Sequence, residues 1–283
     1  MVKIIADSTC DLSKELAEKY DIDILPLHVL IDEKEYLDGL NITPEEIFAW
    51  SDETKKTPGT SAPSMEEAMD LFRKYIDDGR EIVSFSISAS MSASNNVMRV
   101  AAESLDAEDR IFVIDSQNLS TGIGLLVIEA SVMASRGCTG CEIAARMKEL
   151  IPLVRASFVV DTLVFLYRGG RCGGLSAKVG GVLKLHPRIA VAGGAMSAGK
   201  KYRGKIGKVY LEYAKDMEDA MKNAYPDRVF ITHSVADAEQ VEAVREYLKS
   251  LNVFDEILET RAGSVVSSHC GPGTLGVLFI SRK

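Results

Sequence analysis

The order of elements in the first half of the chain constrains the fold most, because short β-rich runs alternate there with helical stretches. Val2 to Ala6 reads as a buried strand ending at Asp7-Ser8-Thr9, and helix signals begin at Ser13. Ile22 to Ile31 is a second apolar run; it contains Pro26 and so reads as an edge or bent strand. Thr43-Pro44-Glu45-Glu46 combines a hydroxyl cap, a proline at the first helical position and a glutamate three residues after the cap. Ser64-Met65-Glu66-Glu67 repeats the capping pattern and opens a helix toward Ile76. Further strands are expected at Glu81 to Ser88 and Ile111 to Asp115, with helices ending near Leu105 and running from Thr121 to Ser135. This alternation predicts a parallel, helix-covered sheet. Ligands of such sheets sit beyond the carboxyl ends of the strands. Three hydroxyl-rich segments stand at such ends: Asp7-Ser8-Thr9, Ser88 to Ser94, and Asp115-Ser116.

The second half has a different texture. Helical signals from Cys141 to Leu150 close at Pro152, and Ala156 to Val160 reads as a new strand. Tyr167 to Gly174 is glycine-rich and basic; Gly193-Gly194 lies between Ile189–Ala192 and the segment around Lys200 to Tyr202 as a hairpin turn. A helix over Ile206 to Ala224, strand Arg228 to Thr232, helix Ala236 to Leu251 and strand Gly276 to Ile280 complete the reading. The expected architecture is therefore two-domain α/β. Residues 1–155 form an N-terminal parallel-sheet domain and residues 156–283 a C-terminal α/β domain, with the ligand at their interface.

A net charge of −8 argues against nucleic acid as a partner, since phosphate binding needs a basic surface. Asp7 interrupts the apolar N-terminus where a signal peptide would continue, and no apolar run is long enough to span a bilayer. These features predict a cytoplasmic protein. The five cysteines, an odd number, argue against a disulfide framework, and four histidines with a single CxxC leave little for a structural zinc site.

Hydroxyl groups dominate the motifs. Ser64 is explained as a helix cap, whereas Thr60 and Ser61 are not needed for capping and are the better ligand candidates. Five serines fall between Ser86 and Ser94, and a helix starting there would aim free N–H groups, such as those of Ala93 and Ser94, at an anion. The alternative is that Ser90 or Ser92 merely caps that helix. Ser267-Ser268-His269 invites a Ser/His-dependent lipid or ester hydrolase, but there is no G-x-S-x-G elbow and no signal for an orienting acid. His28, His186 and His233 read as structural or surface residues. Cys138-Thr139-Gly140-Cys141 has redox spacing without thioredoxin-like surroundings. The glycine-rich stretches match no phosphate loop.

Taken in order, Asp7 to Leu12, Thr60 to Ser64, Ser86 to Ser94, Val113 to Ser116, Arg168-Gly169-Gly170-Arg171 and His269-Cys270-Gly271-Pro272-Gly273 resemble the DegV family of fatty-acid-binding proteins. The resemblance implies a non-catalytic bacterial carrier of one long-chain, palmitate-like fatty acid, with no other cofactor. The acyl chain would lie in a tunnel and the carboxylate at the domain interface. Thr60 or Ser61, Ser92 and the Ala93 N–H would bind the carboxylate, with Arg171 and His269 in the surrounding polar network. It also implies a partner, a fatty-acid kinase that phosphorylates the carboxylate. The chain departs from the family pattern at Met91-Ser92-Ala93-Ser94-Asn95-Asn96, where Leu-Ser-Gly-Thr-Tyr-Gln is usual; Ser92 is kept, while a glycine and an aromatic are lost. Arg168, Arg171, Lys200, Lys201 and Arg203 are candidates for docking a partner or a membrane surface, against the alternative of a solvated basic face. The energetics suit such a ligand. A dozen buried methylenes at about 0.8 kcal/mol each give on the order of 10 kcal/mol. A charge-assisted hydrogen bond gives only about 1.5–3 kcal/mol and mainly sets orientation.

Overall fold

The computed structural model of the chain describes residues 1–171 and 185–282. Cys172, Gly173 and Gly174 of the glycine-rich segment lie outside the described residues. The first half runs β1 (Val2–Asp7), α1 (Lys14–Lys19), β2 (Ile22–Leu25), β3 (His28–Ile31), β4 (Lys34–Leu37), α2 (Pro44–Thr54) and β5 (Gly59–Ser61). It continues with α3 (Met65–Ile76), β6 (Glu81–Ser86), α4 (Ser94–Ser104), β7 (Ile111–Asp115), α5 (Thr121–Ser135) and α6 (Gly140–Leu150). The second half begins with β8 (Val154–Val159), α7 (Val164–Arg168), β9 (Leu185–Ala192), β10 (Ala195–Arg203), α8 (Ile206–Lys215) and α9 (Glu218–Lys222). It ends with β11 (Ala224–Ser234), α10 (Ala238–Ser250), β12 (Glu256–Arg261), α11 (Ser264–Cys270) and β13 (Thr274–Ser281).

Strands β2, β1, β6 and β7 form a sheet in that order, and every pair is parallel. The two-residue period of a strand divides its side chains between two helical layers. Ile5 and Ile82 pack with Phe72 of α3 and with Met98 and Ala101 of α4. Ile4, Ala6, Val83 and Phe85 face the opposite way, toward Ile123 and Val127 of α5 and Ile143 of α6. The second sheet has the order β10-β9-β8-β13-β11-β12 and is antiparallel except for β11 with β12.

Helix α5 joins the two sheets. It is apolar around its whole circumference, as a helix buried on all sides must be. Ile123, Leu125, Leu126, Val127 and Ile128 are fully buried, and the helix touches β1 on one side and β8 and β13 on the other. At about 1.5–3 kcal/mol per side chain, those five residues contribute on the order of 10 kcal/mol as an upper figure.

The run from Ile22 to Ile31 breaks at Pro26. Its first part is the outer strand β2 of the parallel sheet, and its second part, β3, enters a separate antiparallel sheet of order β4-β3-β5. Pro26 brings no N–H to a ladder, and the next N–H, that of Leu27, donates to Ser8 Oγ at 3.0 Å. This small sheet belongs to the first half but leans on the second: Leu27, Val29, Ile47 and Phe48 share a cluster with Phe165 of α7 and Val265 of α11. The helix expected over Ile206 to Ala224 is divided, because α8 ends at Asp216, whose carboxylate is held by Tyr202 Oη at 2.8 Å and Lys200 Nζ at 2.5 Å. The predicted hairpin is present, with Gly193 and Gly194 at φ 56° and 80°, the left-handed pair that a two-residue turn requires.

Candidate functional site

Where the two halves meet, the chain encloses a cavity of about 310 Å³. All six residues expected to form the site, Thr60, Ser61, Ser92, Ala93, Arg171 and His269, line it. They arrive from β5, the loop between β6 and α4, the end of α7, and α11. The remaining wall is apolar: Leu27, Ile87, Leu119 and Leu166 with Val265 and Val266, completed by Met91, Ala62, Met196 and Cys270. Ala62, Ile87, Met91 and Cys270 fall inside the motifs noted in the sequence, whereas Leu27, Leu119, Leu166, Met196, Val265 and Val266 lie in separate segments and look like ordinary core.

Thr60 Oγ1 and His269 Nε2 pair at 2.8 Å across the junction of the halves. His269 Nδ1 is buried and has no hydrogen-bond partner among the described residues. Burial, reinforced by the positive charge of Arg171, lowers the His269 pKa to about 4, so the ring is neutral at pH 7. Arg171 donates to the Gly169 carbonyl at 2.7 Å and to the Met91 carbonyl at 3.3 Å. Among the described residues no carboxylate forms an ion pair with it. The guanidinium is thus fixed in direction, with its charge still free for an anion.

The serine-rich segment serves two purposes. Ser88 Oγ donates to the Gly194 carbonyl at 2.7 Å, and Ser90 Oγ donates to the same atom, so these two hydroxyls tie the β9–β10 hairpin to the first half. Ala93, at the N-cap position of α4, supplies no side-chain cap, and Ser90 is not the capping residue considered above. Ser92 Oγ lies in the cavity wall and accepts the Ser94 N–H at 3.2 Å. That contact corrects one expectation: the Ser94 N–H is already engaged, leaving the Ala93 N–H as the available donor. The other two strand-end segments are turn scaffolding. Asp7 accepts from Thr9 N–H and Ile87 N–H, and Asp115 from Ala89 N–H and Gln117 N–H.

The other sequence candidates stand apart from the cavity. His28 contacts Glu35 and Glu67, His186 contacts the Val160 and Gly204 carbonyls, and His233 contacts Glu259. Cys138 precedes Thr139, the cap of α6, and packs into the same core cluster as Ile143, the position of a hydrophobic staple. A larger cleft of about 690 Å³ lies between α1, β2 and Arg261, with Glu18, Asp21 and Asp23 in its walls. The smaller cavity is the stronger candidate, since it joins an apolar wall to a guanidinium and a His269 Nδ1 that have no carboxylate or hydrogen-bond partner, respectively, among the described residues.

The fold defines a two-domain α/β protein, and the cavity at its junction sets an apolar wall against the Arg171 guanidinium. The chain belongs to the DegV family, whose model, described as an uncharacterised protein of that family, matches residues 1–282. It is 31% identical over 276 residues to a DegV domain-containing protein of Deinococcus radiodurans, covering 98% of this chain and 97% of that one. Among solved structures, it is similar to a DegV family protein from Thermus thermophilus described for its fatty-acid binding, with a TM-score of 0.91 and 30% identity over 99% of both chains. A stearic-acid-binding protein from Eubacterium ventriosum aligns with a TM-score of 0.86 and 31% identity, covering 100% of this chain and 99% of that one. Related structures therefore hold a fatty acid as their ligand. Among the described residues no helix is long and apolar enough to cross a membrane, and no cluster of side chains suits a metal ion.

Proposed function

We propose that this chain binds one long-chain fatty acid and presents its carboxylate to a fatty-acid kinase for acyl-phosphate formation, without turnover of its own. In this reading Arg171 supplies the charge, and Thr60, Ser61, Ser92 and the Ala93 N–H orient the carboxylate. His269 joins them as a neutral hydrogen-bonding group. The acyl chain follows the apolar wall between the halves, whose boundary we place near residue 155. The observation that carries the reading is an Arg171 guanidinium without a carboxylate partner among the described residues, set against a cavity whose remaining wall is apolar. The cavity volume of about 310 Å³ falls at the lower end of the ~300–1,000 Å³ typical of small-molecule sites. The carrier is expected to work in the cytoplasm, with its basic residues available for the kinase or for transient contact with a membrane surface.

The Thr60–His269 pair is the observation that favours a second reading, a hydroxyl/histidine-dependent lipid or ester hydrolase. Two features weaken it. A catalytic histidine is oriented by an acid on its other nitrogen, whereas His269 Nδ1 has no partner among the described residues. A ring whose pKa is lowered to about 4 is also a poor base at neutral pH. Denaturing organic extraction followed by mass spectrometry decides the primary reading. About one fatty acid released per chain supports a carrier. An empty protein that takes up no added palmitate refutes it, and ester turnover lost in His269→Ala would establish the hydrolase.

A further inference from the structure

Helix α11, which carries His269, belongs to the second half of the chain but is gripped at both ends by the first. At its start the Gly263 N–H donates to Asp11 Oδ1 at 2.8 Å, and the Ser264 N–H donates to Asp38 Oδ1 at 2.6 Å. Both carboxylates are buried and oriented from behind: Ser120 Oγ donates to Asp11 Oδ2 at 2.5 Å and Ser8 Oγ to Asp38 Oδ2 at 2.8 Å. Gly263 allows the close approach, since a Cβ there would lie 3.0 Å from Asp38 Oδ1 and 3.3 Å from Asp11 Oδ1. At its other end the helix presents His269 to Thr60. Asp38 follows β4 and Thr60 lies in β5, so the Asp38 and Thr60 contacts trace back to the same small sheet, while Asp11 follows β1.

We propose that Asp11 and Asp38 are positioning residues for the ligand site: by holding the first amides of α11 they set where His269 meets Thr60 at the cavity. Seven residues make a helix about 10 Å long, so a tilt at the clamped end moves the imidazole by a comparable fraction of that length. Burial pushes both carboxyls above the usual range, Asp11 the more strongly. Placing two acids there is unfavourable unless the amides of α11 and the serine hydroxyls offset the cost, which ties the carboxylates to the helix position. The link to ligand affinity rests on the reading of the cavity as a fatty-acid site; the geometry of the clamp does not.

The test uses the full chain and two readouts. In the ligand-free protein, Asp38→Asn is expected to shift the His269 imidazole resonances and to move its pKa up from about 4 toward the ordinary histidine value, as the ring loses its enclosed position. Palmitate binding by calorimetry should weaken about tenfold, the scale of one lost charge-assisted hydrogen bond. The loss should be non-additive with His269→Ala, since both changes act through one side chain. Resonances that stay in place in a folded Asp38→Asn protein, or losses that simply multiply, would overturn the proposal. Should that variant fail to fold, Ser120→Ala removes only the hydroxyl behind Asp11, the other half of the clamp. A smaller His269 shift in the same direction then supports the clamp, and no shift overturns it. A wild-type chain that binds no palmitate refutes the fatty-acid reading, while the His269 resonances still judge the clamp.

Discussion

Acidification should reveal the buried imidazole of His269 through its effect on stability. With a pKa lowered to about 4 in the native state, against about 6.5 when exposed, the ring binds fewer protons folded than unfolded between those two pH values. Stability contributed by this group is therefore complete above about pH 6.5 and is lost as the pH falls toward 4. At 1.36 kcal/mol per pKa unit the loss is about 2 kcal/mol by pH 5 and about 3 kcal/mol by pH 4. Whole-protein measurements would conceal it, because Asp7 acts in the opposite sense. Its carboxyl is raised to about 6 by burial, so the native state binds the extra proton and gains about 1.4 kcal/mol by pH 5. Asp11 and Asp38, whose carboxyls burial also raises, act in the same sense as Asp7. The difference between wild type and His269→Asn removes these three carboxyls, which both proteins share. That difference, from denaturant unfolding at pH 7, 6, 5 and 4, should shift by about 2 kcal/mol against the wild type between pH 7 and pH 5. An NMR titration of the ring gives the native pKa directly. Titration near 6.5, or a difference that does not change with pH, would refute the claim that His269 is neutral because it is buried.

Four further outcomes follow from the same geometry. Ser92→Ala should weaken palmitate binding by about 1.5–3 kcal/mol, measured by calorimetry, and lower the thermal midpoint slightly, because its hydroxyl lies in the cavity wall and also accepts the buried Ser94 N–H. Gly169→Ala should lower stability by about 1–3 kcal/mol and reduce palmitate uptake, since the added Cβ would overlap His269 Nδ1; a thermal melt and an uptake assay read the two effects. Tyr213→Phe should cost about 1–3 kcal/mol in urea unfolding while leaving ligand binding unchanged, because Tyr213 Oη accepts the buried Val277 N–H and donates to the Ser157 carbonyl away from the cavity. Cys141→Ser should retain palmitate equally well under oxidising and reducing conditions, as Cys141 is exposed at the start of α6 and does not line the cavity.

Much of the secondary structure could be read locally. Thr43, Ser64 and Thr139 all form reciprocal capping boxes with the glutamate three residues later, a pattern complete within four residues. The parallel sheet was legible for a similar reason: buried strands and their crossover helices leave a periodic trace along the chain. The antiparallel β3–β4–β5 sheet was missed because its strands are short and partly exposed, and only the break at Pro26 hinted at a change of sheet. The separate helix α11 was likewise not expected. It has no side-chain cap of its own, and the carboxylates that engage its first amides, Asp11 and Asp38, lie more than two hundred residues earlier.

The sequence alone determined the periodicity, the caps, the hairpin turn and the ordered motifs that carry the family resemblance, because each depends on neighbours along the chain. It also marked Thr60, Ser61, Ser92, Ala93, Arg171 and His269 as a group. Their convergence on one cavity was decided only by tertiary structure, as was the pairing of Thr60 with a histidine 209 positions away. The depressed basicity of His269 and the freedom of Arg171 for an anion belong to the same level. Both come from desolvation and from distances between segments that meet only when the two halves close around α5, and no local pattern encodes either quantity.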